Sequence, residues 1–564
     1  MSLTARSDGR LTVRAYLLLA VLSLALFLPG FFNLPPFDRD EARFAQASFQ
    51  MQESGDLVDI RFQDEARHKK PIGIYWMQSA ATEIVSEILG GPEAKRIWTY
   101  RVPSLLGAVF AVLATAWAGA RMFGSATGLL AGVLMASCVV LGVEARMAKT
   151  DAVLLATIVV GQAALASLYL GRRAPAAGWG APLAFWISAG IGILVKGPIV
   201  LLVSGTTVLA LALWDREAGW LKRLRPLAGL AIVLAIAAPW LIAITIKTQG
   251  AFFAESVGHD MMGKVASGQE GKGLPPGYYL GTFWITFAPW SFLALLAVPW
   301  AWMNRRRDAV RFCIAWILPS WILFEAVPTK LLHYTLPVFP AIAMLTAGAA
   351  LDHFARTAET PRKWLFAIAV GLGALSFSAL AVAIALVPWL VDGRIHPLAV
   401  AMVPVVCVLF RLAVRLVAQR RERAAVAAGV AAAALLYASA YAAVLPAIDG
   451  IWISREAARV VAEAKPCSSG GAGSVVASAG YSEPSLVFLL GTGTRLVDGA
   501  AAARHLTDGG ACALALIEAR QEAAFHAALD GVEPARLGAV TGFNYNTGRR
   551  VTLTLYGAQS AAQR

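Results

Sequence analysis

Five of the six residues in Asp38-Arg39-Asp40-Glu41-Ala42-Arg43 are charged. They follow an apolar run, Tyr16 to Phe32, across the short break Asn33-Leu34-Pro35-Pro36. A carboxylate held where a chain leaves a membrane can accept a proton from a hydroxyl or orient a charged substrate. The same residues also suit a helix start. Asp38 as N-cap and Glu41 at the third helical position make a capping-box pattern, with acidic side chains favoured at the positive end of the helix dipole. Capping accounts for Asp38 and Glu41, with Arg43 further into the helix. For Asp40, between them, both readings stay open on local grounds.

Four further stretches carry chemistry. Arg67-His68-Lys69-Lys70-Pro71-Ile72-Gly73-Ile74-Tyr75-Trp76 sets a basic cluster before proline and interfacial aromatics. That order suits either a lipid phosphate at headgroup level or a snorkelling anchor. Arg146-Met147-Ala148-Lys149-Thr150-Asp151 and Lys196-Gly197-Pro198 place an acid and a lysine at the ends of apolar runs. Pro328 to Pro337 adds Lys330, His333 and Tyr334 at another such end. Ionisable groups at these depths are functional candidates.

The elements that must position these groups are transmembrane helices. Of the 564 residues, 58% are hydrophobic and only 15% charged, and mean hydropathy is +0.62. Apolar runs ending in charge recur along the chain. They predict thirteen spans, at 13–32, 102–120, 125–143, 151–170, 181–196, 198–214, 227–246, 280–303, 310–327, 331–350, 364–390, 398–416 and 424–446. Alternate connections carry plain Arg and Lys: Arg6/Arg10/Arg14, Arg121, Arg172/Arg173, Lys222/Arg223/Arg225, Arg305/Arg306/Arg307, Arg362/Lys363 and Arg420/Arg421/Arg423. The positive-inside rule makes these cytoplasmic. The net charge of +14 resides largely in these topology signals, which argues against nucleic acid as a partner.

The opposite set, external on this reading, is 33–101, 144–150, 196–198, 247–279, 328–334, 391–397 and everything after 447, with more mixed charge, His and Pro. All five chemical stretches fall in or beside it. Loop 33–101 is predicted to hold an amphipathic helix from Glu41 to Ser54, lying on the membrane and stopped by Gly55. A second interfacial helix begins at Pro71. Loop 247–279, with His259, Asp260, Lys264 and the run Gly271 to Gly277, reads equally as a mobile lid or as a connector. The expected domains are 1–449 in the membrane and a small α/β domain, 450–564. In the latter, 474–477, 486–490 and 550–556 read as strands and Glu518–Leu529 as a helix. Gly470-Gly471 and Gly491-Thr492-Gly493 read as turns. Cys138, Cys313 and Cys407 are apolar packing residues; Cys467 and Cys512 can pair if their region is external.

In order and spacing, the Asp-Glu-x-Arg element after the first span, Gly55-Asp56, Lys70-Pro71 followed by Tyr75-Trp76, Asp151 after Arg146, Lys196-Gly197-Pro198, and Lys330 with Tyr334 and Pro337 resemble the GT-C membrane glycosyltransferases. These use polyprenyl-phosphate sugars and include the lipid A aminoarabinose transferase and dolichyl-phosphate-mannose protein mannosyltransferase group. The resemblance implies an α-helical polytopic fold of about thirteen spans with juxtamembrane helices and an extracytoplasmic α/β domain. It implies residence in a bacterial inner membrane, N-terminus cytoplasmic and C-terminal domain periplasmic. The implied activity is sugar transfer from a polyprenyl-phosphate donor to lipid A or another envelope glycolipid, with inversion. Close alternatives are a protein acceptor or uronic-acid transfer to lipopolysaccharide core.

The resemblance also implies roles: Asp40 and Asp151 as catalytic acids, Lys70 and Tyr334 at the donor phosphate, and Lys264 as a basic group of the mobile loop. Lys196 and Lys330 join them as cations for the phosphate, with Glu41, Arg43, His68, Lys69, Tyr75, Arg146 and His333 in support. Lys69 stands where the family often has a metal-binding glutamate, so no metal is carried over, although His68 keeps the question open. A polytopic lipid transporter or flippase would show internal repeats and polar groups at mid-membrane depth, and no clear repeat is found.

Overall fold

The computed structural model describes residues 10–91, 96–174, 178–263, 273–355, 362–464 and 475–558. Lys264, Cys467, Arg6, Gly470-Gly471, Ser474 and the 264–272 part of the external loop lie outside these residues.

Each of the thirteen expected segments is helical. Among the described residues, eight helices are long and apolar enough to cross a membrane, from Ile97–Phe123 to Glu422–Ala447. Four shorter apolar helices, Val13–Phe27, Ser125–Ser137, Gly180–Lys196 and Ile199–Asp215, occupy the positions expected for spans 1, 3, 5 and 6. The protein is a multi-pass membrane protein. Segment 280–303 departs from a simple span. It consists of Tyr278–Thr286 and Ser291–Met303, bent by 118°. Pro289 sits in the break, where its missing N–H removes nothing from either helix ladder. Small residues let the helices approach closely. A Cβ on Gly128 would lie 2.3 Å from the Ala116 carbonyl oxygen, so helices Ile97–Phe123 and Ser125–Ser137 touch backbone to backbone.

Helix Asp40–Ser54 ends at Gly55, whose φ of 69° terminates it in the left-handed region. It does not lie open on a membrane surface as expected. Phe44, Ala47 and Met51 join the transmembrane core, while Ala45 and Phe49 pack with Tyr100 and Phe488, the last from the C-terminal region. The following helix starts at Gly73, two residues later than expected.

The C-terminal region is a five-stranded mixed sheet in the order 495–497, 476–479, 514–518, 549–557, 535–544. The first two pairings are parallel and the last two antiparallel. Alternate residues face opposite sides, as a strand's period of two requires. Val476, Leu514, Leu516 and Leu555 enter one core, and Ala477, Ala515, Ile517 and Tyr556 the other. Three expectations need correction here. Residues 486–490 belong to a helix, Pro484–Leu490, with proline in its first turn. A short, continuous apolar run carries no period that would distinguish helix from strand. Glu518 ends a strand, and the helix expected from it is only Glu522–Ala527. Strands 495–497, 514–518 and 535–544 were not anticipated. Cys512 is disulfide-bonded, and Cys138, Cys313 and Cys407 are free thiols.

Candidate active site

The charged stretch after the first helix separates into three roles by partner. Glu41 is wholly buried and grips Arg101, also wholly buried, through Nε–Oε1 at 2.8 Å and Nη2–Oε2 at 2.9 Å. The other guanidinium hydrogens go to the carbonyls of Phe31, Leu34 and Pro35. All five N–H groups of the arginine are thereby used. Glu41 also accepts the backbone N–H of Phe37 and of Ala148, both at 2.8 Å. The reach back to Phe37 resembles capping, but the principal partner is a transmembrane arginine that the sequence reading passed over. A charged residue at the entrance of an apolar run was the available signal.

Asp38 is not the N-cap; that position is Arg39, and no side chain caps it. Asp38 accepts hydrogen bonds from Ser485 instead, from the backbone N–H at 2.9 Å and from Oγ at 2.6 Å. Its own N–H donates to Tyr545 Oη at 2.8 Å. Arg39 pairs with Glu483 at 3.3 Å, and Glu483 accepts further bonds from Asn544 and Asn546. Burial pushes the Asp38 carboxyl up to about 7; Glu483 raises it further, and Ser485 and Arg39 oppose the shift. Asp40, the first helical residue, is exposed, unlike Glu41 beside it.

Asp40 acts electrostatically on Lys149, His333 and Tyr75, which places it against a second cluster. In that cluster Lys149 pairs with Glu144 at 3.1 Å and Lys196 with Asp151 at 2.5 Å. His333 lies between the two acids, its Nδ1 3.4 Å from Glu144 and its Nε2 3.5 Å from Asp151. The Lys196 ammonium sits 5.4 Å from the centre of the Tyr334 ring. The structure thus brings together Asp40, Asp151, Lys196, His333 and Tyr334, from four separate connections of the chain. It adds Glu144 and Lys149, which had been assigned no role although Lys149 lies two residues before Asp151. Glu144 Oε2 is buried without a hydrogen-bond partner, an unused acceptor within the site.

Other candidates lie elsewhere or are otherwise engaged. Arg146 is a brace: it donates to the carbonyls of Pro29, Gly142 and Leu26 and lies 4.3 Å over the Tyr441 ring. Lys330 is buried, donating to the carbonyls of Glu325 at 2.6 Å and Val327 at 2.8 Å. Both were expected near the substrate; in this structure their cationic groups are engaged by these carbonyls. His68 is buried between Asp59, at 2.9 Å, and Glu255, at 3.3 Å. Among the described residues no group of three or more His, Cys, Asp or Glu is arranged to hold a metal ion. Tyr75 is buried with its ring 5.4 Å from that of Phe44, Lys69 is exposed, and Lys70 and Arg43 are half-buried. A groove of about 1010 Å³ runs down the flank of the bundle, walled by Met77, Phe110, Val153, Ile187 and Ile191 among other apolar residues. Val153 stands two residues after Asp151.

A family model described as dolichyl-phosphate-mannose-protein mannosyltransferase matches residues 12–256. The undecaprenyl phosphate-alpha-4-amino-4-deoxy-L-arabinose arabinosyl transferase of Aeromonas salmonicida (strain A449) is 27% identical over 346 residues, covering 58% of this chain and 60% of its own. The protein of that name from Pseudomonas aeruginosa (strain UCBPP-PA14) is 27% identical over 370 residues, covering 64% and 65%. The chain therefore spans somewhat less than two thirds of these curated relatives. The crystal structure of ArnT from Cupriavidus metallidurans bound to undecaprenyl phosphate superposes with a TM-score of 0.71 at 19% identity, covering 96% of this chain and 98% of that one. The fold is of the GT-C type, as that structure's is.

Proposed function

We propose that this chain is a glycosyltransferase that moves a sugar from a polyprenyl-phosphate carrier to lipid A or another envelope glycolipid. The observation that carries the reading is the cluster of Asp40, Glu144, Lys149, Asp151, Lys196 and His333. It gathers acids and cations at the helix ends of a membrane fold shared with a protein crystallised with undecaprenyl phosphate. The relatives' names supply the donor class and a sugar, 4-amino-4-deoxy-L-arabinose. We assign the protein to a bacterial inner membrane, with residues 1–449 as the transferase domain and 450–564 as a periplasmic domain. The charge alternation of the loops supports that orientation.

In this reading the acceptor hydroxyl oxygen attacks the anomeric carbon as the bond from that carbon to the phosphate oxygen breaks. The electron pair leaves with the phosphate, and a single displacement inverts the anomeric centre. Asp40, the exposed acid of the stretch, accepts the hydroxyl proton, or orients the acceptor when it is already anionic. Lys70, with Lys196 released from Asp151, stabilises charge on the departing phosphate, and Tyr334 lies beside it. The apolar groove suits a polyprenyl chain because its walls offer hydrocarbon to hydrocarbon. Asp40→Asn tests the assignment: turnover is expected to be lost while the variant still inserts and binds donor, and wild-type turnover would sink it. Mass spectrometry of lipid A, core glycolipids and envelope proteins, with and without the gene, identifies the sugar and separates a lipid from a protein acceptor.

A further inference from the structure

We propose that the C-terminal region is part of the catalytic apparatus, with Ser485, Glu483 and Tyr545 acting as positioning residues that hold Asp40 through the two residues before it. This rests on the assignment of Asp40 given above. The turn at 37–41 is restrained from two directions. On the membrane side, Arg101 and the Ala148 N–H fix Glu41. On the other side, every contact described for the side chains of Asp38 and Arg39 comes from residues more than 440 positions later: Ser485 to Asp38, and Glu483 to Arg39. The Asp38 backbone N–H is taken by Tyr545 in the same way.

These contacts are themselves backed. Glu483 is buried and fixed by Asn544 and Asn546, and Ser485 Oγ lies 2.6 Å from Ser454 Oγ, which is 2.9 Å from Tyr481 Oη. A chain of hydrogen bonds from the sheet and its helices therefore ends on the residues that precede Asp40. Contacts further along are consistent with a clamp on the whole juxtamembrane helix. Gln46 Nε2 donates to Thr492 Oγ1 at 2.9 Å, and Thr492 donates to Glu53 at 2.5 Å. Asp40 itself lies within electrostatic range of Lys149 and His333. A reacting group must be held to within about an ångström of its working position, and fixing Asp38 and Arg39 fixes the backbone from which Asp40 projects.

The test uses the full-length protein in detergent or nanodiscs, with undecaprenyl phosphate-linked 4-amino-4-deoxy-L-arabinose as donor and lipid A as acceptor. The variants are Ser485→Ala, Glu483→Gln and the milder Tyr545→Phe, which keeps the ring and removes only the hydroxyl. Turnover is measured together with hydrogen–deuterium exchange over residues 37–45. Positioning predicts kcat down about tenfold or more in Ser485→Ala and Glu483→Gln, with donor KM within twofold of wild type. It also predicts faster exchange confined to 37–45, and strongly non-additive loss of kcat when Glu483→Gln is combined with Arg39→Gln. Unchanged kcat per folded molecule in all three variants, or exchange over 37–45 at the wild-type rate, overturns the proposal. Asp40→Asn, run in parallel, separates the two readings. If it retains activity, the site assignment fails. If it is inactive while the clamp variants turn over normally, only the positioning role fails.

Discussion

Arg101 and Glu41 form a fully buried, two-point ion pair in which all five guanidinium hydrogens have acceptors. The pair joins the fourth helical segment to the turn after the first, and it ties the proline-containing break 33–36 against the bundle.

Breaking this pair from one side leaves a buried charge, which costs about 3–5 kcal/mol. Arg101→Leu is expected to lower the thermal unfolding temperature in detergent sharply. Arg101→Lys should be nearly as damaging, because an ammonium has three donors and no planar fork. Glu41→Leu combined with Arg101→Leu should be less harmful than Arg101→Leu alone. A single Arg101→Leu variant as stable as wild type would remove this account.

Lys70 and Lys330 should separate cleanly in kinetics. Lys330 holds the carbonyls of Glu325 and Val327, so Lys330→Ala is expected to lower stability while folded molecules keep their donor KM. Lys70→Ala should raise donor KM about tenfold, the value of one charge-assisted phosphate contact, with little change in unfolding temperature. Reversed outcomes would exchange their roles.

Asp151 neutralises Lys196 within a buried cluster. Asp151→Asn should therefore lower the unfolding temperature, and adding Lys196→Met should recover part of it without recovering turnover. Full recovery of turnover in the double variant would show that neither side chain takes part in transfer.

Asp38 gives the clamp a pH dependence with a definite sign. Its folded pKa, about 7, lies above the usual carboxylate range near 3.8. The folded state therefore holds the proton more tightly than the unfolded chain does. Stability from this group is fully present below about pH 4 and is lost as pH rises through about 7. The charged and titratable groups around it are Glu483, Arg39, Tyr481 and Tyr545. Protection over residues 37–45, that is exchange divided by its base-catalysed intrinsic rate at each pH, should be weaker at pH 8 than at pH 5.5, and Asp38→Asn should flatten the difference. A wild-type profile independent of pH would contradict this.

What the sequence determined by itself was the succession of apolar helices and several of the charged and aromatic groups that the fold gathers at their ends. Apolar runs long enough to span hydrocarbon are local features, as is the Gly55 stop, so helices appear at all thirteen expected positions. Asp40, Asp151, Lys196, His333 and Tyr334 were legible because ionisable or aromatic groups at the ends of apolar runs have few structural reasons to be there. Tertiary structure decided which charges face each other. Arg101 and Lys330 look alike as cations beside apolar runs, yet Arg101 is held at two points by the Glu41 carboxylate while the shortest contacts of Lys330 go to the carbonyls of Glu325 and Val327, and only packing assigns those partners. The same holds for Asp38. Local hydrogen bonding favours it as a helix cap, but Ser485, brought near by the fold from 447 positions away, offers its carboxylate two donors at once. The helix at 484–490 was likewise undecidable from sequence. An unbroken apolar run, Leu486 to Leu490, has no hydrophobic period, and the period is the main record of secondary structure that so short a segment carries.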